Sequence, residues 1–167
     1  LWEPGKVTNI EKKGYQPVLM RMYNKDKQLV MEDEVLYAYH TLSMKIFALG
    51  REARDLVDDN QVAVINPLKW GAVGDFNGFQ KYVKICLSKV RRRVWRKQRL
   101  ALCVPARLTE VEKKAFMDAF MMANVREMSL SEKSFEETDW KRLAEYTKSY
   151  DIYVELVSDY YSCEYFT

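Results

Sequence analysis

The residues best placed to do chemistry in this sequence are bases. Lys84 to Arg99 holds eight Lys and Arg and no acid. Its densest part, Arg91-Arg92-Arg93-Val94-Trp95-Arg96-Lys97-Gln98-Arg99, sets one apolar pair among six bases. A run of this kind neutralises phosphates, on a lipid headgroup or on a nucleic acid. On an anionic leaflet, Val94-Trp95 makes an apolar tip, with Trp suited to the headgroup region. Each base held close to such a leaflet contributes about 1 kcal/mol. On a nucleic acid, Trp95 would stack on a base. That use ranks lower, because there is a single basic run and no RNA- or DNA-binding motif beside it. The bland alternative is a solvated basic helix end.

The remaining candidates have plainer explanations. Asp75 has the chemistry of a catalytic acid, but it also stands where a helix cap belongs. Asp58-Asp59 reads as a solvated helix end before it reads as a metal ligand pair. The cysteines Cys86, Cys103 and Cys163 are odd in number, and His40 is the one histidine. A structural zinc site takes four Cys/His ligands at tight spacing. The three thiols therefore read as small buried groups in a reducing cytosol. Met117, Met121 and Met122 lie at helical spacing and read as core. Tyr160, Tyr161, Tyr165 and Phe166 read as a packed edge strand, with an exposed docking surface as the other reading. The sequence thus offers no catalytic, cofactor-binding or metal-binding residue.

The 167 residues are 48% hydrophobic and 31% charged. That is enough for one domain with a proper core, and it excludes a disordered chain. The net charge of +3 hides an asymmetry, since Glu127 to Thr167 holds ten acids and four bases. No run approaches the ~18 apolar residues of a membrane-spanning helix. The chain begins at Leu1 without an apolar leader, so no signal peptide is expected.

Several elements must position these residues. Val7–Lys13 has weak strand character, and Gly14-Tyr15-Gln16-Pro17 is a turn signal. Val18–Tyr23 reads as a strand, joined through the polar turn Asn24–Lys27 to another that begins at Gln28. Val35–Tyr39 and Lys45–Leu49 continue what reads as a meander. Gly50 ends the series, Arg51–Val57 reads as a short helix, Val62–Ile65 is an apolar run, and Gly71 and Gly74 flank a loop. From Asp75 on, Phe76, Phe79, Tyr82, Val83, Cys86, Leu87 and Val90 recur at helical steps, with Arg91–Arg93 in the last turn. Leu100–Val104 is a continuous apolar run and reads as a buried central strand. Thr109 and Glu112 form a capping box. They open a helix whose apolar face is Val111, Ala115, Phe116, Ala119, Phe120 and Ala123. Val125–Leu130 reads as a strand, Ser134–Lys148 as a third helix and Ile152–Val157 as a last strand. The order predicts a mixed sheet with helices packed on it.

Three segments carry a resemblance: KIFALGREARDLV, INPLKWGAVGDF and LALCVPARLTEVEKKAFMDAFMMANVREMSL. From Leu29 to about Lys133 the chain resembles subdomain I of the bacterial actin-like rod-shape-determining family (MreB). That family has a strand running into A-x-G-x-E-A, then R-P-x-x-x-G-x-x-x-D-F opening a helix. A strand ending in V-P follows, then T-x-x-E-R-R-A opening another helix, and A-R-E-V before a strand. The resemblance implies an α/β fold, the RNase H-like mixed sheet of actin-type ATPases, with about five strands, an N-terminal meander and two to three packed helices. It implies one actin-like domain over residues 1–167, the second ATPase domain being absent.

The nucleotide elements of that family are not matched. Its first phosphate loop, D-L-G-T-x-x-T, lies between the first two strands and falls here on Lys12-Lys13-Gly14-Tyr15-Gln16-Pro17. A Lys stands at the acid position, and Pro17 lacks an amide donor. Its E-E-P falls on Glu132-Lys133-Ser134, which keeps one acid. Its second phosphate loop, D-I-G-G-G-T-T, falls in YVELVSDYYSCEYF, which has no glycine. Hydrolysis of ATP needs metal, phosphate cradle and water-positioning group together. The resemblance therefore implies a non-catalytic structural or interaction protein of cell shape, with no cofactor, that pairs with a full-length homologue or with itself. By position, the loop Arg91–Arg99 resembles the one that family inserts into the membrane. It places the chain in the cytoplasm, at the inner face of the membrane. Two rivals remain open: an RNase H-like Mg²⁺-dependent enzyme using acids such as Asp75 and Glu132, and a basic nucleic-acid-binding module.

Overall fold

The computed structural model describes residues 18–69, 71–91, 97–105, 108–132 and 150–157. The expected elements at Val7–Lys13, Gly14–Pro17 and Ser134–Lys148, and the cluster Tyr160 to Phe166, lie outside the described residues.

Strand β1 (Leu19–Tyr23) alternates, with Met20 and Met22 fully buried and Arg21 turned outward to Glu32 at 2.8 Å. The turn to β2 (Leu29–Glu34) is built on Asn24, whose Oδ1 accepts the amides of Asp26 and Gln28 at 3.0 and 2.9 Å. Lys27 takes a positive φ of 62° within it. The two strands pair antiparallel, as the polar turn predicts.

The rest of the expected meander divides. Val35 and Leu36 are both fully buried, but Val35 faces the main core and Leu36 a second, smaller one. Adjacent residues with two different cores draw the chain out of the first sheet. β3 (Tyr37–His40), β4 (Ile46–Leu49) and β5 (Val62–Ile65) therefore form a sheet of their own in the order β4-β3-β5. Helix α1 (Gly50–Arg54) covers it with Ala53, helped by Leu56 and Val57. Gly50 opens α1 at φ +62°, and a Cβ there would lie 1.9 Å from the Asp33 carboxylate. The loop expected around Gly71 and Gly74 is a small ladder instead, β6 (Leu68–Lys69) against β7 (Ala72–Val73).

Helix α2 (Phe76–Val90) starts at Asp75, whose side chain accepts the Gly78 amide. β8 (Gln98–Cys103) follows, then α3 (Glu110–Met121), opened by the capping box of Thr109 and Glu112. β9 (Val125–Ser131) and β10 (Ile152–Val157) complete the described elements. The main sheet is mixed, in the order β2-β1-β10-β8-β9. β10 runs parallel to β8 and antiparallel to β1, and β9 runs parallel to β8. The apolar run 100–104 is central, as its composition requires. Phe79, Tyr82, Val83 and Leu87 of α2 join Phe116, Ala119 and Phe120 of α3 on one face of this sheet.

α3 departs from expectation at both ends. Val111 is exposed, as are Met121 and Met122, and Met117 is half-buried. Each residue advances about 100° around a helix. The buried stripe Phe116, Ala119, Phe120 and Ala123 therefore leaves Val111, Met121 and Met122 on other faces. Arg91 is the residue that caps α2 rather than part of its last turn.

One buried carboxylate joins the two sheets. Glu34 ends β2, and its Oε1 is paired with Arg54 of α1. Its backbone oxygen accepts the buried Tyr82 hydroxyl at 2.9 Å, while its Oε2 has no hydrogen-bond partner among the described residues. Burial, opposed by Arg54 and Arg51 and reinforced by Asp33 and Asp55, pushes its carboxyl above the ordinary value. The folded chain then holds this proton to higher pH than the unfolded chain does. Glu34 costs nothing below the ordinary carboxylate value, and its cost grows as pH rises through the raised one. Glu34→Gln is therefore expected to gain stability relative to the parent as pH rises from 4 to 8, read from urea midpoints. A difference that stays flat over that range would refute the assignment.

Candidate functional site

Two opposite edges of the main sheet carry the residues of interest. At one edge the parallel strands β8, β9 and β10 begin, and at the other they end.

The basic connection between α2 and β8 lies at the first edge, and its two ends are fixed. The Arg91 amide bonds Leu87 O at 3.1 Å, and its guanidinium donates to the carbonyl of Ala123, just past α3. Arg99 and Asp151 exchange two bonds, Arg99 N to Asp151 Oδ2 at 3.0 Å and Asp151 N to Arg99 O at 2.9 Å. The Arg99 side chain reaches Glu127 on β9 at 3.2 Å. Arg91 and Arg99 thus tie the loop ends to the beginnings of β9 and β10, while Lys97 between them is exposed. Arg92, Arg93, Val94, Trp95 and Arg96 lie outside the described residues.

At the second edge stand the acids that a nucleotide site would need. Glu132 follows β9 and is ion-paired with Lys113 of α3, which also holds Glu110 at 2.9 Å. The hydrogen bonds that Lys113 donates to Glu132 and Glu110 raise its pKa above the ordinary value. Glu155 on β10 is buried opposite Arg21 and beside Cys103, and the Tyr23 hydroxyl donates to it at 3.4 Å. Asp75 has both oxygens engaged, Oδ1 by the Gly78 amide at 3.0 Å and Oδ2 by the Tyr37 hydroxyl at 2.6 Å. A helix cap accounts for it. Among the described residues no three His, Cys, Asp or Glu come together as a metal site would require.

The other candidates resolve similarly. Cys86 and Cys103 are buried free thiols, and Cys163 lies outside the described residues. Burial pushes the Cys86 thiol up to about 12, which makes it unreactive at neutral pH. His40 stacks on Phe47 with ring centroids 4.0 Å apart. Asp58 and Asp59 are exposed beyond α1, as a solvated helix end. No described helix is long and apolar enough to cross a membrane. Sequence reasoning missed Lys113, and it took Met121 and Met122, which are exposed, for core. The Glu110–Lys113 spacing was visible in the sequence, but the contact with Glu132 is made only by folding.

Comparison with known proteins places these features in context. The family model described as MreB/Mbl protein matches residues 17–136. The cell shape-determining protein Mbl of Bacillus subtilis is 30% identical over 111 residues, covering 65% of this chain and 33% of the relative. The chain thus spans about a third of the length of that relative. Among solved structures, MreB5 of Spiroplasma citri bound to AMPPNP matches with a TM-score of 0.60 at 22% identity, over 70% of this chain and 36% of that one. The MamK double helical filament matches with a TM-score of 0.53 at 12% identity, over 70% and 41% respectively. These structures share the actin-like fold, whose five-stranded mixed sheet is the one described above.

Proposed function

The chain belongs to the MreB/Mbl family of actin-like proteins, and from that premise we propose that it works through its surfaces rather than by hydrolysing nucleotide. It is a non-catalytic structural partner in cell shape. It joins or caps a filament built from a full-length homologue or from copies of itself. It sits in the cytoplasm at the inner face of the membrane, which it contacts through Arg91, Arg92, Arg93, Val94, Trp95, Arg96, Lys97 and Arg99.

The observation that carries the non-catalytic part is the pairing of Glu132. Parallel-strand sheets bind ligands at the carboxyl ends of their strands. There, the acid aligned with the family's water-positioning position is neutralised by Lys113. The sequence adds a lysine in place of the first phosphate-loop acid and no glycine from Ile152 to Thr167. Without glycine the backbone cannot approach phosphate closely. Calorimetric titration with ATP and Mg²⁺ tests this reading. No saturable heat is expected, and micromolar affinity would overturn it. The enzyme rival gains no support, because Asp75 is a cap and among the described residues the acids do not gather as a metal site would require.

A further inference from the structure

We propose that α1 is a lid over the second core, caught by Arg54 on Glu34 and pushed open by that same buried carboxylate, so that the charge on Glu34 sets how often the lid lifts.

The topology makes α1 a separable piece. It leaves β4 at one edge of the small sheet and returns, through residues 55–61, to β5 at the other edge. It therefore crosses one face of that sheet and covers Leu36, Ala38, Ala48, Val62 and Val64. A helix this short has no stability of its own. Ala53 is its one buried side chain, with Leu56 and Val57 half-buried beyond it. Charge supplies the rest of its hold, from three consecutive acids of β2. Glu32 meets the Arg51 guanidinium at 3.5 Å, Asp33 accepts the Arg51 amide at 2.9 Å, and Glu34 is paired with Arg54. Gly50 is the joint at the first end, at φ +62° and packed closely on Asp33.

The three acids are not equivalent. The Glu32 side chain is 32% exposed and shared between Arg51 and Arg21, so water and two bases satisfy it. Glu34 is 4% exposed, and its Oε2 has no hydrogen-bond partner among the described residues. A buried carboxylate with one oxygen unsatisfied is costly, and lifting α1 returns it to water. The groups that face Glu34 are Arg51 and Arg54 of α1, Asp55 just after it, Asp33 on β2 and Tyr82 of α2, whose hydroxyl donates to the Glu34 carbonyl. Burial outweighs the two arginines, so the closed lid holds the Glu34 proton to higher pH than an open, hydrated lid does. Opening therefore becomes easier as pH rises from the ordinary carboxylate value through the raised one. In acid, neutral Glu34 stays under the lid without that cost. A purely structural ion pair would instead hold α1 as firmly as the sheet beneath it.

Native-state hydrogen exchange on the full chain tests the proposal. The amides of Gly50, Asp55 and Leu56 donate to the carbonyls of Leu36, Arg51 and Ala53 and report on the lid. The amides of β8 and β10, in the middle of the main sheet, report on global unfolding. Corrected for intrinsic rates, the lid amides should exchange at least about a hundredfold faster than those of β8 and β10. They should also be insensitive to low urea, because lifting the lid exposes little surface. Their protection should fall as pH rises from 4 to 8. Glu34→Gln should abolish that fall and leave the lid better protected than in the parent at pH 8. Arg54→Met removes the catch and leaves Glu34 charged, and should lower lid protection roughly tenfold or more at pH 8. If that variant does not fold, the parent and Glu34→Gln still decide. Lid amides that share the exchange rates and urea dependence of β8 and β10 would show no separate opening and would overturn the proposal. So would a pH dependence that persists in Glu34→Gln.

Discussion

Phe79→Ala is expected to cost roughly 3–5 kcal/mol, the range for removing a fully buried aromatic ring. Phe79 is completely inaccessible to solvent and is the ring on which the two long helices meet. It stands edge-on to Phe116 at 5.4 Å and to Phe120 at 6.0 Å, with interplanar angles of 88° and 76°. Edge-to-face pairs contribute about 0.5–1.5 kcal/mol beyond their buried area, and both would be lost. A domain of this size has about 5–15 kcal/mol of stability in all. The variant therefore sits near the unfolding threshold at room temperature. Urea denaturation of parent, Phe79→Ala and Phe79→Leu gives the comparison. Phe79→Leu keeps most of the volume and should lose clearly less. Val111→Ala, on the same helix pair but exposed, should stay within about 0.5 kcal/mol of the parent. A loss below about 1 kcal/mol for Phe79→Ala would mean that α2 is not seated on α3 as described.

The contrast between Phe79 and Val111 shows where the sequence was readable. Local signals survived folding. Asp75 caps α2, Thr109 and Glu112 cap α3, Asn24 makes the hairpin turn, and the run 100–104 is central. Each of these is decided by residues a few positions apart. Apolar identity was a weaker guide. Val111, Met121 and Met122 have core chemistry, yet the angular spacing of α3 turns them away from the sheet. The division of the meander was hidden too, because it depends on which of two cores Val35 and Leu36 each find. Alternation within one strand cannot say that. The site was the least legible part. Lys113 meets Glu132 only because α3 packs beside β9, and nothing in either segment alone announces the pair.

The two edges of the sheet also divide the chemistry. At the carboxyl ends of β8, β9 and β10, the acids are engaged within the fold, Glu132 by the Lys113 ammonium and Glu155 by the Tyr23 hydroxyl. At the amino ends, Arg91 and Arg99 are used to anchor a connection, while Lys89 and Lys97 are left exposed. The membrane contact proposed above draws on the exposed charge at the amino ends.

Truncation after Ser149 is expected to abolish cooperative folding. It removes β10, the last described strand, which sits in the middle of the main sheet between β1 and β8. Five β1–β10 pairings, Leu19–Val157 to Tyr23–Tyr153, and four β10–β8 pairings, Ile152–Leu100 to Glu155–Cys103, would go together. Burial of Ile152, Val154 and Leu156 alone is worth roughly 5–9 kcal/mol, as much as many domains have in total. The loss has a second consequence. β8, with Leu100, Ala101, Leu102 and Cys103 all buried, would present an apolar edge with unpaired backbone groups, which invites aggregation. Val154→Asp should have nearly the same effect without shortening the chain, because it places an unpaired carboxylate at a fully buried position facing Leu102 and Met22. Circular dichroism melts of the two variants should lack the sigmoidal transition of the parent, and sedimentation should show aggregates. If the truncated chain melts cooperatively within a few degrees of the parent, β10 is an appendage and the strand order of the sheet is wrong. The experiment separates these cases sharply, because an edge strand can be lost at modest cost, whereas a central strand takes two ladders and both faces of the core with it.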